Sequence, residues 1–183
     1  MEREFRDIVK VLREAKRRKF IRDFALTGAL ALSALSEPRA TRDIDILISL
    51  EKEKIKRLVE WLKYSKEYRL TKHHAGRPKD RIKDLIEVPA GSTWVDLIVA
   101  SSEVEEEAIS TGLSFSVFTG DKLKIVRPEY LIILKLLAGS EQDYLDSAHL
   151  WNESIDKRLV RKMAKELFLQ GSLQKMTVIA RKL

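Results

Sequence analysis

The segment from Asp43 to Ser49, DIDILIS, constrains the fold more than any other part of the chain. Acidic and aliphatic residues alternate at its start and aliphatic residues continue to its end, which is the period-two pattern of a β-strand. Successive side chains of a strand point to opposite faces, so Asp43 and Asp45 share one face and the isoleucines pack behind them. The segment therefore predicts a half-buried strand that carries two neighbouring carboxylates.

Strands and helices alternate around this segment, which indicates a mixed α/β core. Helices are predicted where apolar residues recur three or four positions apart, and strands where apolar runs end at turn residues. The predicted helices cover residues 2–20, 29–36 and 51–64, and the predicted strands cover residues 23–27, 43–49, 82–88 and 94–100.

The pattern changes after residue 127. Pro128 suits the first turn of a helix, and the rest of the chain is helical in its spacing of apolar residues. We expect an α/β (α+β) fold, a mixed β-sheet flanked by helices with a C-terminal helical extension. Residues 1–127 would form the core with the N-terminal helix, and residues 128–183 would pack on it. No Gly/Ser linker separates the two parts, so one compact unit is expected.

Composition narrows the classes of function. The chain has no cysteine, which excludes zinc–thiolate sites, cysteine nucleophiles and disulfides. No apolar run reaches the roughly 18 residues of a membrane span, and the N-terminus lacks a signal-peptide core, so a soluble cytoplasmic protein is expected. A net charge of +7 fits a polyanionic partner or a solubility role. Abundant charge (34%) and a single asparagine suggest a heat-adapted source.

A third acidic residue, Asp96, lies in the apolar run WVDLIVA. A buried carboxylate without a partner is costly or becomes neutral, so Asp96 requires a partner. That partner is either an arginine or a divalent cation shared with Asp43 and Asp45. Magnesium binds oxygen ligands, usually one or two carboxylates with phosphate and water. The alternative for Asp43 and Asp45 is a solvated strand end.

The stretch ALTGALALSALSEPRATRDIDILIS resembles the signature of the DNA polymerase beta-like nucleotidyltransferase superfamily. The segments PRATRDIDILI and LIILKLLAGSEQDYLD are most similar to small prokaryotic nucleotidyltransferases related to AbiEii-type toxins. The likeness covers roughly residues 20–150. It implies transfer of a nucleoside monophosphate from a nucleoside triphosphate such as ATP to a hydroxyl, with Mg²⁺ or Mn²⁺. The acceptor would be RNA, such as tRNA, a protein or a small molecule, and an antitoxin is an implied partner.

The resemblance also implies roles for individual residues. Asp43, Asp45 and Asp96 would be the catalytic and metal-binding carboxylates, with Asp96 positioning or deprotonating the acceptor hydroxyl. Gly28 would let the backbone approach the triphosphate at a helix N-terminus. The family usually has a second glycine or a serine where this chain has Ala29, and the Thr27 hydroxyl would substitute for the serine contact.

Cationic residues offer further candidate phosphate contacts. Lys135 stands alone in an apolar helix, and it either contacts the phosphates or pairs with Asp143 or Asp146, which would otherwise cap the next helix. Arg39 and Arg42 would clamp phosphate or balance nearby acids. The segment TKHHAGRPKDRIK (71–83) is either a mobile surface loop or a contact for an acceptor or nucleic acid, and its two histidines are weak metal candidates.

Three functions follow from these residues. The first is a metal-dependent nucleotidyltransferase. The second is a catalytically weak module that binds a nucleotide or a partner with the same fold, which the Ala29 departure favours. The third is a basic nucleic-acid-binding protein, whose binding would fall steeply with salt.

Overall fold

The computed structural model describes residues 2–36, 41, 43–76, 82–117 and 121–183. Its strands form one mixed sheet in the order β3-β4-β5-β2-β1-β7-β6. Strand β2 runs parallel to β5, and β1 runs parallel to β7, while the other neighbours are antiparallel. The strands are β1 Asp23–Leu26, β2 Ile44–Ser49, β3 Lys72–Ala75, β4 Asp84–Ala90, β5 Thr93–Val99, β6 Leu113–Val117 and β7 Asp121–Ile125.

Helices flank this sheet, which confirms the predicted α/β fold. The amphipathic helix α1 buries Phe5, Ile8, Val9, Leu12 and Ala15, the same stripe that its sequence predicts. The helices are α1 Glu2–Arg17, α2 Gly28–Leu35, α3 Ile55–Lys63, α4 Glu103–Ser110, α5 Pro128–Ala138, α6 Glu141–Asn152, α7 Lys157–Glu166 and α8 Gln170–Ala180.

Strand β2 lies near the centre of the sheet, between β5 and β1. Ile44, Ile46 and Ile48 are fully buried, so the alternation read from the sequence is confirmed. Asp45 lies on the opposite face and is half-buried, whereas Leu47 and Ser49 on that face are buried, so the strand predicted to be half-buried is covered on both faces beyond Asp45. Asp43 precedes the strand by one residue and is exposed. The core therefore fixes which way the Asp45 side chain points.

The residues after 127 are mainly helical, as predicted, although the helix ends differ from the predicted ones by up to four residues. Pro128 occupies the first turn of α5, and Gly139 ends it with a φ of 70°. Ser140 and Asp143 then form a reciprocal cap at the start of α6. None of the helices in the described residues is both long enough and apolar enough to cross a bilayer. The division into parts at residue 127 stays a prediction.

Some elements were not predicted. The surface-loop interpretation of residues 71–83 is wrong for Lys72–Ala75, which pairs with β4 as the edge strand β3. All four of its residues are exposed, so no apolar alternation marks it as a strand. The other unpredicted elements are α4, β6 and β7.

Candidate active site

Asp45 and Asp96 stand side by side on neighbouring parallel strands. The register of β2 and β5 pairs Asp45 with Asp96 directly, so both carboxylates leave the same face of the sheet. Asp43 joins them at the start of β2. Together they line a cleft of about 440 Å³, whose walls also include Thr27, Gly28, Ala29, Leu131, Leu134, Lys135, Gln142 and Asp143.

The backbone at Gly28 lies directly against the Asp45 carboxylate. Gly28 has a φ of 65°, and a Cβ atom built on it would lie 1.9 Å from Asp45 Oδ2. The Thr27 amide donates a hydrogen bond to the Asp45 carbonyl oxygen at 3.0 Å, which fixes this approach. Only glycine fits both the left-handed conformation and the missing space. Gly28 therefore joins the first turn of α2 to the acidic strand.

The first turn of α2 faces the cleft through Gly28 and Ala29. The N–H groups of a helix's first turn have no partners within the helix, and the helix dipole places positive potential there. Thr27 precedes α2, and its side chain makes no capping hydrogen bond. This end of α2 can therefore accept phosphate oxygens.

The electrostatics of Asp96 reflect crowding of negative charge. Burial, which is the largest cause, and the charges of the neighbouring acids together raise the pKa of Asp96 to about 6, although His74 acts in the opposite direction. These acids are Asp45, Glu87 and Asp43. Glu87 contributes because it lies directly opposite Asp96 on β4. The third acid thus has acidic neighbours on both adjacent strands, and no arginine is among the causes of its shift.

A divalent cation fits the donor chemistry of this group. Among the described residues, no three His, Cys, Asp or Glu side chains converge closely enough to enclose a metal ion by themselves. Magnesium commonly takes only one or two carboxylates and completes its shell with water and substrate phosphate. An ion at Asp43, Asp45 and Asp96 would therefore need further ligands from water or from a substrate.

Lys135 is buried in the wall of the cleft and is paired with acids. Its Nζ donates to Asp146 Oδ2 at 2.6 Å and to Asp143 Oδ1 at 3.4 Å. Both roles weighed for Asp143 occur, because its other oxygen accepts from the amide and hydroxyl of Ser140 at the start of α6. Asp146 also accepts from Gln142 at 2.7 Å. The ion-pair interpretation of Lys135 is confirmed. Lys135 also lines the cleft, and its contact with phosphates stays a prediction.

Several candidate residues lie outside the described residues, namely Arg39, Arg42, Arg77, Lys79 and Arg81.

The two histidines of β3, which were weak metal candidates, each lie against one carboxylate. His73 Nε2 lies 2.7 Å from Asp84 Oδ1, and His74 Nε2 lies 2.7 Å from Glu87 Oε2.

Comparison with known proteins gave structural likenesses only. No protein-family model and no curated protein matches the chain. The antibiotic-resistance factor ANT(2'')-Ia is 16% identical with a TM-score of 0.49, over 100% of this chain and 92% of that one. The structure of ANT(2'')-Ia in complex with adenylyl-2''-tobramycin is 16% identical with a TM-score of 0.48, over 96% of this chain and 95% of that one. The lincosamide antibiotic adenylyltransferase LnuA, bound to lincomycin, is 15% identical with a TM-score of 0.49, over 83% and 97%.

Two acidic residues near the site were missed by sequence reasoning. Glu87 is brought beside Asp96 by the β4–β5 register. Glu105 lines the cleft from the first turn of α4, where its Oε2 accepts from the amides and hydroxyls of Ser101 and Ser102. The sequence SSEVEE does signal this cap, because a serine precedes a glutamate by three positions.

Proposed function

We propose that this protein is a metal-dependent nucleotidyltransferase. It would move a nucleoside monophosphate from a nucleoside triphosphate to a hydroxyl and release pyrophosphate. The proposal rests on one observation: Asp45 and Asp96 are paired in register, and the Gly28 turn at the start of α2 is packed against Asp45. Carboxylates and free helix amides thus meet in one cleft, as transfer of a charged phosphoryl group requires.

The nucleotide would bind with its triphosphate at the start of α2. The amides of Gly28 and Ala29 would donate to phosphate oxygens, and the dipole of α2 favours their charge. Mg²⁺ or Mn²⁺, held by Asp43, Asp45 and Asp96, would supply positive charge against the phosphates. Lys135 would reach the phosphates if the triphosphate drew its ammonium away from Asp143 and Asp146, with which it pairs in this structure.

Asp96 would take the proton of the acceptor. The acceptor hydroxyl oxygen forms a bond to the α-phosphorus, the bond from this phosphorus to the pyrophosphate oxygen breaks, and the proton passes to Asp96. In the protein without a bound cation, the pKa of Asp96 is raised to about 6, so its carboxylate is a stronger base than an ordinary aspartate and is still largely ionised at neutral pH.

The acceptor and the cellular role follow from the sequence resemblance. A hydroxyl of RNA or protein is the proposed acceptor, ATP is a proposed nucleotide, and an antitoxin is the proposed partner in a toxin–antitoxin pair. We also propose a cytoplasmic location and a heat-adapted source, the latter from the 34% of charged residues and the single asparagine.

Labelled nucleoside triphosphate, Mg²⁺ and cellular RNA or protein provide the direct test. Asp45→Asn should reduce label transfer on the order of a hundredfold or more, as loss of a group that stabilises the transition state does. Glu60→Gln is the matched control, since Glu60 is an exposed acid of α3 away from the cleft. Transfer that survives in Asp45→Asn, or an equal loss in Glu60→Gln, would contradict the proposal.

A second candidate is a module that binds a nucleotide or a partner without turnover. Ala29 favours it, because this buried methyl group replaces the glycine or serine usual at the second position of the turn. Nucleotide would then raise the melting temperature without any labelled product. Ala29→Gly separates the two candidates, because a weak enzyme should gain transfer from the variant while a binding module should not.

A further inference from the structure

The positive charge of the chain is concentrated at one end. The chain has 35 Lys and Arg residues, and eight of them lie in residues 157–183. Of its 28 Asp and Glu residues, only one lies there. The preceding 156 residues therefore hold 27 of each and are neutral overall, so the whole net charge of +7 belongs to α7, α8 and the residues that follow α8.

Helix α7 gathers its cations on a single face. Five of its ten residues are basic, and their spacings of three, four and seven place them within one arc of the helix surface. The opposite face buries Val160, Met163 and Ala164 against the rest of the protein. The basic residues of this face are Lys157, Arg158, Arg161, Lys162 and Lys165. The single acid, Glu166, lies 3.9 Å from Lys162, and both are exposed.

A groove beside this face carries groups that bind phosphate and flat rings. It has a volume of about 380 Å³ and runs between α6, α7 and α8. Arg161 and Arg181 both line it, and within the described part of the chain neither guanidinium makes an ion pair. The Arg161 guanidinium lies 5.3 Å from the ring centre of Trp151. The walls also contain Leu173 and Ala180. Polar side chains line the rest, namely Asn152, Gln170, Gln174 and Thr177.

We propose that this α7–α8 surface binds the phosphodiester backbone of a nucleic acid. Guanidinium groups match two phosphate oxygens at once, and amide side chains donate to phosphates and base edges. A row of cations on one helix face follows a chain of regularly spaced phosphates. An anionic membrane fits less well, because the groove is lined by hydrogen-bonding groups. The inference does not depend on the proposed nucleotidyl transfer, since none of its residues lies in the catalytic cleft.

Helix α6 connects this surface to the cleft. Its first turn carries Gln142 and Asp143 in the wall of the cleft, and its last turn carries Trp151 and Asn152 in the groove. At about 1.5 Å per residue, the eight residues from Asp143 to Trp151 span about 12 Å along the helix axis. The groove and the wall of the cleft therefore lie at opposite ends of the same helix.

Salt-dependent binding of a fluorescein-labelled oligouridine tests the proposal by fluorescence anisotropy. Two variants remove two charges each, Arg161→Gln with Arg181→Gln in the groove, and Lys162→Gln with Lys165→Gln on the exposed face. The second pair leaves the contact between Arg161 and Trp151 intact. It therefore still measures the contribution of this surface to binding if the first pair disturbs folding. The matched control is Lys56→Gln with Lys63→Gln, which removes two exposed charges from α3.

We expect the wild type to bind the oligouridine, and the logarithm of its association constant should fall linearly with the logarithm of the salt concentration. Each lost phosphate contact should lower the slope by about 0.7, so a double variant should bind roughly 25-fold more weakly near 0.1 M salt. The control should bind like the wild type. An unchanged slope in both test variants would overturn the proposal, as would equal loss in the control. Equal binding of polyglutamate or of anionic vesicles would show a general anion surface instead and would also overturn it.

Discussion

Replacing Asp96 by asparagine should stabilise the protein at neutral pH while it abolishes turnover. Burial and the neighbouring acids raise the pKa of Asp96 from 3.8 to about 6, a difference of about two units. Each unit corresponds to about 1.36 kcal/mol, so the penalty for ionising Asp96 in the folded state is at most about 3 kcal/mol. Asp96 is only half-buried, and solvent screening reduces this to roughly 1.5 kcal/mol.

The raised pKa determines at which pH Asp96→Asn stabilises the protein. Folding raises the pKa, so the folded state binds more protons than the unfolded state between about pH 4 and pH 6. Ionised Asp96 therefore destabilises the fold fully above about pH 6 and hardly at all below about pH 4. Asparagine removes the penalty, so the gain from Asp96→Asn should exist at pH 8 and vanish near pH 4.

Thermal unfolding in a chelating buffer measures this difference. At 2–4 °C per kcal/mol for a chain of this size, the melting temperature of Asp96→Asn should rise by about 3–6 °C at pH 8. Mg²⁺ with nucleotide should then stabilise the wild type more than the variant, because it neutralises the same repulsion. A variant that melts lower than the wild type at pH 8, or gains equally near pH 4, would refute the reasoning.

Three further predictions concern neighbouring residues. Gly28→Ala should destabilise the fold by at least about 1–3 kcal/mol because its methyl group meets the Asp45 carboxylate, while Gly171→Ala, with open space around it, should raise the melting temperature slightly. Lys135→Met should cost about 3–5 kcal/mol in urea unfolding because it leaves the carboxylate of buried Asp146 without its cation, and removing that charge as well by Asp146→Asn should recover part of the loss. The value of kcat/KM for nucleotidyl transfer, which reports the free enzyme, should fall as the pH drops through about 6, where Asp96 without a bound cation is protonated, and a kcat/KM that stays flat to pH 5 would contradict its role as the base.

Sequence periodicity predicts those elements that have one buried face. Helices α1 and α3 follow this rule, and their core residues are the predicted ones. Strand β2 was predicted from its run of aliphatic residues, and it is buried on both faces except at Asp45. The edge strand β3, KHHA, has no buried residue, and the described residues of β6 are also exposed. Helix α4, EVEEEAIS, buries only Ala108 and Ile109, so its sequence lacks a continuous apolar stripe. Elements held mainly by backbone pairing or capping leave no such pattern.

The candidate site was predictable where one strand carries the information. Asp43 and Asp45 are two residues apart, so their shared side follows from the geometry of a strand alone. Glu87 could not be assigned in the same way, because its place beside Asp96 depends on the register between β4 and β5. The sequence offered the pairing of Lys135 with Asp143 or Asp146 as one of two alternatives, and the choice between them depends on how α5 packs against α6.

The register of β2 and β5 also protects the fold against mispairing. A slip of one residue turns every side chain of a strand to the opposite face. For β5 this would drive Asp96 into the layer now filled by Val95 and Leu97, both fully buried. Burying an ionised carboxylate there would cost several kcal/mol, so the misaligned sheet would be disfavoured at once. The carboxylate of Asp96 therefore favours the native register of β5 over a register shifted by one residue.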